Sequence, residues 1–423
     1  MRRKISVHDL RLGMYVADLD RPWRSTRFLY QGFEIDSQTL LDMLKQLCQF
    51  VYIDTEGGGG KKCKFRRSLS AAAHQDVLYE RGECPTHTVC ILKEPLVNKR
   101  WHPDKTTLTE ELEPARGIEK QAKDVLYSTL EDVRLGKNIS TTAAKQVVAE
   151  MVESVIRNPD AMVVLSQLKD VDEYTALHSL RVCILALAFG RHLELSREEL
   201  NLLGVGALLH DVGKMKVPGE ILNKPNHLTE QEFDMMKSHV PEGVKILEKS
   251  AGILPLSIQV AARHHERYGG GGYAAGLSGD AIGSFGLIGG IVDCYDAITS
   301  DRVYHKGLSA YEALSRMYEW RTRDFHPGLV EQFIQCMGIY PIGSVVELST
   351  GAIGVVVSVN RERRLKPSVA LVLNPDKQPY SCEKIVDLMH ESPDDSDNPL
   401  EITKVIPIGS YGINPVDHLV KIE

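Results

Sequence analysis

What most constrains this 423-residue chain is a series of metal-ligand side chains between positions 174 and 306: His178, His210, Asp211, His239, His264, His265 and Asp293. Apolar residues recur at helical spacing around them, so the series is spread over several helices. A lone histidine on an apolar helix is ordinarily a satisfied core residue. The pair His210-Asp211 is harder to absorb in that way. It follows Leu202, Leu203, Val205, Ala207, Leu208 and Leu209, a buried-helix pattern. A charged aspartate there costs several kcal/mol unless compensated, on a scale of ~2–7 kcal/mol for unsatisfied polar groups and more for charges. A metal compensates it directly. Imidazole with carboxylate suits iron, manganese, zinc or nickel, and no cysteine stands in the series. Five histidines and two aspartates suffice for two divalent ions bridged by a carboxylate and activating a water, the equipment of a phosphohydrolase.

Composition narrows the setting. Hydrophobic residues make up 43% of the chain, ample for a core at this length, which predicts two or three domains. A net charge of −7 argues against a nucleic-acid polymer as the main ligand, because binders of polyanions carry a basic face. A small anionic ligand needs only a few local cations. No apolar run reaches the length of a membrane span, and no apolar stretch follows the basic Met1-Arg2-Arg3-Lys4. Eight scattered cysteines read as reduced, buried thiols of a cytoplasmic protein. Cys84, His87 and Cys90 have metal-ligand spacing, but a loop with incidental cysteines is the simpler reading.

The predicted fold class is mainly α, with a helical catalytic core and two smaller attachments. Residues 1–56 alternate short strands with one amphipathic helix near 37–48, giving a small α+β domain. Gly57 to Gly60 open a linker and irregular segment over 57–114. Helical spacing over 118–136 and 141–157, with Ser140 before Thr141-Thr142 as an N-cap cluster, starts a helical domain over 115–340. Residues 341–423 are β-rich, with strand-like runs near 342–348, 354–360 and 367–373 and an acidic solvated loop at 391–398.

The motifs carry a family resemblance. Tyr-Thr-Ala-Leu-His-Ser at 174–179, Leu-Leu-His-Asp-Val-Gly-Lys at 208–214, Ile-Leu-Asn-Lys-Pro-Asn-His-Leu-Thr at 221–229, His239 with Gly243, His-His-Glu-Arg at 264–267 and Asp-Cys-Tyr-Asp-Ala-Ile-Thr-Ser-Asp-Arg-Val-Tyr at 293–304 agree in order and spacing with the HD-GYP subgroup of the HD phosphohydrolases. The N-terminal segment, with Arg21-Pro22-Trp23-Arg24 and Phe33-Glu34-Ile35, resembles a poorly characterised domain often placed ahead of HD-GYP domains; no phosphoacceptor pocket of a receiver domain is visible. The resemblance implies hydrolysis of a bacterial cyclic dinucleotide, chiefly cyclic di-GMP or else cyclic GMP-AMP, to a linear dinucleotide and in some members to mononucleotide. It implies one metal on His178, His210, Asp211 and Asp293, with Asp211 bridging to a second on His239, His264 and His265, iron or manganese ahead of zinc or nickel. A bridging hydroxide would attack phosphorus in line. Lys214 and Arg302 then read as phosphate contacts, Lys214 also as a catalytic group able to protonate the leaving oxygen. Glu266 and Asp296 read as carboxylates orienting a ligand histidine or the water. A diguanylate-cyclase-type protein partner and a homodimer stay open.

Two departures from the family pattern stand out. The loop that usually reads His-His-Glu-Arg-x-Asp-Gly-x-Gly-Tyr-Pro is here His-His-Glu-Arg-Tyr-Gly-Gly-Gly-Gly-Tyr-Ala over 264–274. Gly269 replaces the aspartate and Ala274 the proline. Four glycines predict a substrate loop, including Gly269, Gly272 and Tyr273, that is mobile until substrate or partner binds. The glutamate that supports a third metal in some members is absent: position 174 is tyrosine and Glu173 is displaced by one, which favours two metals. Two other readings compete with hydrolysis of a cyclic dinucleotide: an HD-type phosphohydrolase of another nucleotide, and a cyclic-dinucleotide sensor without turnover.

Overall fold

In the computed structural model, the residues described are 2–11, 14–19, 33–35, 41, 44–45, 48–54, 104–137, 139–167, 174–224, 226–300, 307–360, 365–389, 400–407 and 409–419. Arg302, Glu173, the Cys84-His87-Cys90 group, the Arg21–Arg24 run, most of the 57–114 segment and the acidic run at 391–398 lie outside them. Two compact units emerge, Met1–Cys84 and Pro85–Glu423.

In the first unit, β1 (Arg2–Ser6), β2 (Tyr15–Leu19), β3 (Phe33–Glu34) and β4 (Phe50–Asp54) form an antiparallel sheet in the order β1-β4-β2-β3. Val7, Val16, Ile35, Leu44 and Val51 make its small core. Most of the helix expected near 37–48 falls outside the described residues, but Leu41, Leu44 and Cys48 are buried in that core at helical spacing.

The second unit is mostly helical: α1 (Leu108–Arg134), α2 (Thr141–Arg157), α3 (Pro159–Gln167), α4 (Tyr174–His192), α5 (Arg197–Leu208), α6 (Gly219–Leu222), α7 (Glu230–Lys237), α8 (His239–Lys249), α9 (Pro255–Arg263), α10 (Ser284–Thr299), α11 (Ala310–Trp320) and α12 (Pro327–Met337). α1 begins upstream of the expected boundary at 115. Pro114 reads as a stop, yet it stands inside α1 and costs at most one backbone bond there. The true start is a capping box, Thr107 with Glu110. Glu111, buried one residue further on, accepts two 2.7 Å bonds from Arg157 and one of 2.7 Å from Ser154, which locks α1 to α2. Ser140 does cap α2 by position, but its side chain makes no capping bond; Thr141 donates instead to the Ala251 carbonyl at 2.7 Å.

α4 is apolar nearly all round and runs through the middle of the core, as a buried helix must. α5 and α10 pack against it, and α9 packs against both α5 and α10. The ligand series lies on α4, α10, the end of α9, the turn after α5 and the start of α8, so core packing and site assembly are one process.

C-terminal to the helices, β5 (Val345–Leu348), β6 (Ile353–Ser358), β7 (Ser368–Leu373), β8 (Pro379–Asp387) and β9 (Ile402–Ile406) form an antiparallel sheet ordered β8-β7-β6-β5-β9. A short helix, α13 (Pro415–Leu419), follows. Alternation sorts the strands' side chains onto two faces. Val345, Ile353, Val355 and Val357 join the helical core, whereas Val346, Leu348, Val356 and Val369 build a second cluster with Val386, Leu388 and Leu400. Both faces are thus buried, and the sheet shares its core with the helices. Not every cysteine is buried as expected: Cys48 and Cys183 are, Cys294 and Cys336 are half-buried and Cys382 is exposed.

Candidate metal centre

α5 stops at Leu208, so His210 and Asp211 stand on a turn that leads into a 3-10 turn over Val212–Lys216. Gly213 makes this turn work. A Cβ on it would lie 1.9 Å from the His239 carbonyl oxygen and 2.5 Å from the Gly243 nitrogen. Only glycine lets the start of α8 press against the turn, and that approach brings His239, the first residue of α8, beside Asp211.

The remaining ligand types arrive from helix interiors and ends. His178 lies in α4, Asp293 and Asp296 one turn apart in α10, and His264-His265 at the C-terminal end of α9. The structure brings His178, His210, Asp211, His239, His264, His265 and Asp293 together. His178, His210 and Asp211 form one group, and His239, His264 and His265 another, each with ligand atoms within 4.8 Å of one another.

Asp211 joins the groups. Its Oδ2 lies 3.3 Å from His210 Nε2 and 3.6 Å from His178 Nε2. Its Oδ1 lies 3.5 Å from His239 Nε2 and 3.8 Å from His264 Nε2. Asp293 Oδ1 closes the first group, 3.1 Å from His178 Nε2 and 3.8 Å from His210 Nε2. Among the described residues, buried His210 Nε2 and Asp211 Oδ1 have no hydrogen-bond partner. Such atoms are costly in a low-dielectric interior, and a cation between them removes the cost. The donor set and these two orphaned atoms fit divalent metal.

The nitrogen of each ring that faces away from the centre is fixed. His210 Nδ1 is 2.7 Å from the Ala207 carbonyl, His239 Nδ1 is 2.6 Å from that of Met236, and His264 Nδ1 is 3.0 Å from that of Ala261. Each contact leaves Nε2 as the free ligand atom. For His178 the outer partner is a carboxylate: Nδ1 lies 2.7 Å from Asp296 Oδ2. Arg181 in turn grips Asp296 with Nε at 2.6 Å and Nη2 at 3.0 Å. Arg181 was not singled out from the sequence, although its place three residues after His178 on a helix was a usable signal.

Electrostatics divide the centre. Burial pushes the His178 imidazole down, but hydrogen bonds to Asp293 and Asp296 outweigh it and raise it to about 9. Burial also dominates at His265, lowering it to about 3, and holds His239 and His264 below their ordinary range. Those three are neutral imidazoles with lone pairs available. Asp211 is driven up by burial and down by more, through Lys214, His210 and His239, so it stays ionised. Lys214, only partly exposed, hydrogen-bonds to Asp211 Oδ2.

Glu266 stands elsewhere than expected. It faces no ligand histidine; its carboxylate accepts from the backbone N–H groups of Ala275 (2.7 Å), Gly276 (3.1 Å) and Leu277 (2.9 Å). It therefore fixes the glycine-rich loop. The loop itself is also not the open tether that four glycines suggest. Gly269 donates to the Arg323 carbonyl at 2.8 Å, and a Cβ there would meet that oxygen at 2.7 Å. A Cβ on Gly272 would come within 2.5 Å of the Glu266 and Arg267 backbone. Gly270 and Gly271 have φ of +89° and +83°. Each glycine is demanded by close packing or a left-handed backbone. Tyr273 ends the run with its ring stacked on His265, centroids 4.5 Å apart.

Comparison with known proteins places three family models along the chain. An HD domain model matches residues 159–328, a model described as a KOW domain associated with HD domains matches 345–393, and a domain of unknown function matches 2–144. A cyclic di-GMP phosphodiesterase of Pseudomonas aeruginosa is 36% identical over 390 residues, 92% of this chain and 89% of that relative. A cyclic di-GMP phosphodiesterase response regulator of Xanthomonas campestris is 36% identical over 40% of this chain and 47% of its own length. A 3'3'-cGAMP-specific phosphodiesterase of Vibrio cholerae is 33% identical over 38% of this chain and 31% of its own.

Proposed function

This chain belongs to the HD-domain phosphodiesterases, and from that premise we propose that it hydrolyses cyclic di-GMP to the linear dinucleotide with the help of two divalent ions. The observation that carries this reading is the split of Asp211, whose two oxygens face different ligand groups while Oδ1 has no hydrogen-bond partner among the described residues. His178, His210, Asp211 and Asp293 would hold one ion, and Asp211, His239, His264 and His265 the other; imidazole with carboxylate suits iron, manganese, zinc or nickel, and the family resemblance puts iron or manganese first. Bound there, such a pair supplies the Lewis acidity that activates water and neutralises phosphate charge.

The chain's own residues do the rest. Neutral His239, His264 and His265 offer lone pairs without a proton to expel. Asp296, held by Arg181, keeps His178 in one ring orientation. Lys214 is charged beside Asp211 at the edge of the buried centre, positioned to meet a phosphate oxygen or to protonate the leaving 3' oxygen. His178, His210, His239 and His264 are buried and His265 half-buried, so electrostatic contacts along this wall act at low dielectric.

Incubation of purified protein with manganese or ferrous iron and each of cyclic di-GMP, cyclic GMP-AMP and cyclic di-AMP tests the reading, with products separated by chromatography. Metal-dependent appearance of linear dinucleotide from cyclic di-GMP is expected. Tight binding of cyclic di-GMP without turnover would make the chain a sensor, and turnover of other nucleotides alone would make it a different HD-type phosphohydrolase.

A further inference from the structure

α7 is unusual among the helices around the centre because none of its residues is buried. It is held by polar ties instead. Thr229 and Glu232 form its capping box, and Lys224 reaches Glu232 with bonds of 2.7 and 2.6 Å. Yet it carries large apolar side chains in the open, Phe233 at 45% and Met235 at 44% exposure. A single exposed apolar residue needs no explanation. Phe233 differs because of its neighbours. Its ring meets Tyr273 nearly edge-on, centroids 6.3 Å apart at 80°. Tyr273 stacks on His265 and lies 6.5 Å from the His239 ring. Phe233 is thus the outermost member of a continuous row of rings that begins at the ligand histidines. Lys237 sits 4.7 Å from the Phe233 centroid, its ammonium paired with Asp234 Oδ1 at 2.8 Å and retaining protons for a further acceptor.

We propose that Phe233 and Tyr273 form the base-binding corner of the substrate site. A purine of the cyclic dinucleotide stacks on Phe233, and Tyr273 walls it off from His265. This assignment rests on the reading of the centre as a cyclic-dinucleotide phosphodiesterase. The chemistry fits on three counts. A purine has an aromatic face, and two rings set at 80° offer it one stacked and one edge-on contact. The substrate's phosphate belongs at the ions, so a base attached to the same nucleotide has to leave the centre along one of its walls, and this wall is aromatic. A cation next to the corner suits the carbonyl and ring-nitrogen acceptors on a purine edge and the anionic backbone. Stacking does not read hydrogen-bonding edges, so the corner accepts guanine and adenine alike.

The test compares Phe233→Ala and Phe233→Trp with the parent in steady-state hydrolysis of cyclic di-GMP and cyclic GMP-AMP, with metal content measured on each protein. Phe233→Ala is expected to raise KM for both substrates by roughly 5- to 100-fold, the range of a base–aromatic stack. Its kcat should stay near the parent's and its metal content unchanged, and Phe233→Trp should restore KM. An unchanged KM in Phe233→Ala overturns the proposal. So does a fall in kcat accompanied by metal loss, which marks a structural role. Should the parent bind without turnover, the hydrolytic reading fails by itself. The corner is then judged by equilibrium dialysis of cyclic di-GMP: an equal Kd for parent and Phe233→Ala overturns it, and a 5- to 100-fold weaker one upholds it.

Discussion

The two halves of the candidate centre are built from similar residues yet held by opposite means. Around His178 the partners are anionic: Asp293 on one ring nitrogen and Asp296 on the other, with Arg181 behind Asp296. Around His239 and His264 the outer partners are backbone carbonyls, and among the described residues Asp211 is the carboxylate within 4 Å of their ligand nitrogens. His178 is consequently raised to about 9, while His265 is lowered to about 3. One half is organised by side-chain charge, the other by burial and helix ends. A charge-organised half is sensitive to single substitutions remote from the metal; a backbone-organised half is sensitive mainly to loss of the ligands themselves.

The largest effect should come from the residue the halves share. Asp211→Ala is expected to abolish hydrolysis and to reduce metal content in both halves, since each of its oxygens faces a different ligand group. Metal analysis of the purified variant checks this, and full occupancy by two ions would refute the bridging role. Lys214→Ala comes next. Loss of one preorganised electrostatic contact lowers kcat by about 10²–10³. Both ions should remain, because Lys214 touches Asp211 without being a ligand type. Unchanged turnover at saturating substrate would leave Lys214 a mere counter-charge.

Arg181→Gln probes the charge-organised half alone. Arg181 holds Asp296, the outer partner of His178; losing such a partner outright costs roughly 10–100-fold in metal affinity, which bounds the effect of loosening it. Titration of stripped protein should show one of two sites weakened, with Arg181→Lys only partly rescuing because the bidentate grip on Asp296 is lost. Equal weakening of both sites would erase the distinction between the halves.

The smallest effect is on stability against pH in chelator-treated protein, and there the halves should respond with opposite signs. His178, raised from 6.5 to about 9, binds its proton more tightly when folded. Its contribution is full below 6.5 and is lost as pH climbs through about 9. His265, lowered from 6.5 to about 3, resists a proton that the unfolded chain takes up, so stability falls as pH drops from 6.5 towards 3. Melting temperatures across pH should therefore lose their alkaline decline in His178→Gln and part of their acid decline in His265→Gln. The same slope in variant and parent on either limb would contradict the assignment for that half.

How much of this was readable in advance differs from element to element. The ligand series was legible because buried histidine and aspartate in apolar runs have few explanations, and the structure gathers every member of it. α2 was legible to the residue from apolar spacing, and β5, β6 and β7 to within a few residues from β-rich runs and turn signals, whereas β8 and β9 carried no signal that was read. α1 was placed too late because apolar spacing becomes clear only from 118, whereas its start is set by a capping box and by the Glu111–Arg157 pair, whose partners are far apart in sequence. Asp296 was placed beside a ligand histidine, but its second partner, Arg181, was not noticed. Glu266 and the glycines were misjudged for one reason: four glycines in a row report only local freedom. That freedom is used up here by Arg323, by the Glu266 carboxylate and by left-handed turns.

The sequence by itself determined the composition of the centre, the helical character of its carrier and the sheet that follows, since residue type and periodicity are local properties. Only the tertiary structure decided which oxygen of Asp211 faces which histidines, that Gly213 must lack a side chain for α8 to reach the His-Asp turn, and that Phe233 stands at the outer end of the ring row. These are relations between segments distant in sequence, set by packing that no local pattern encodes.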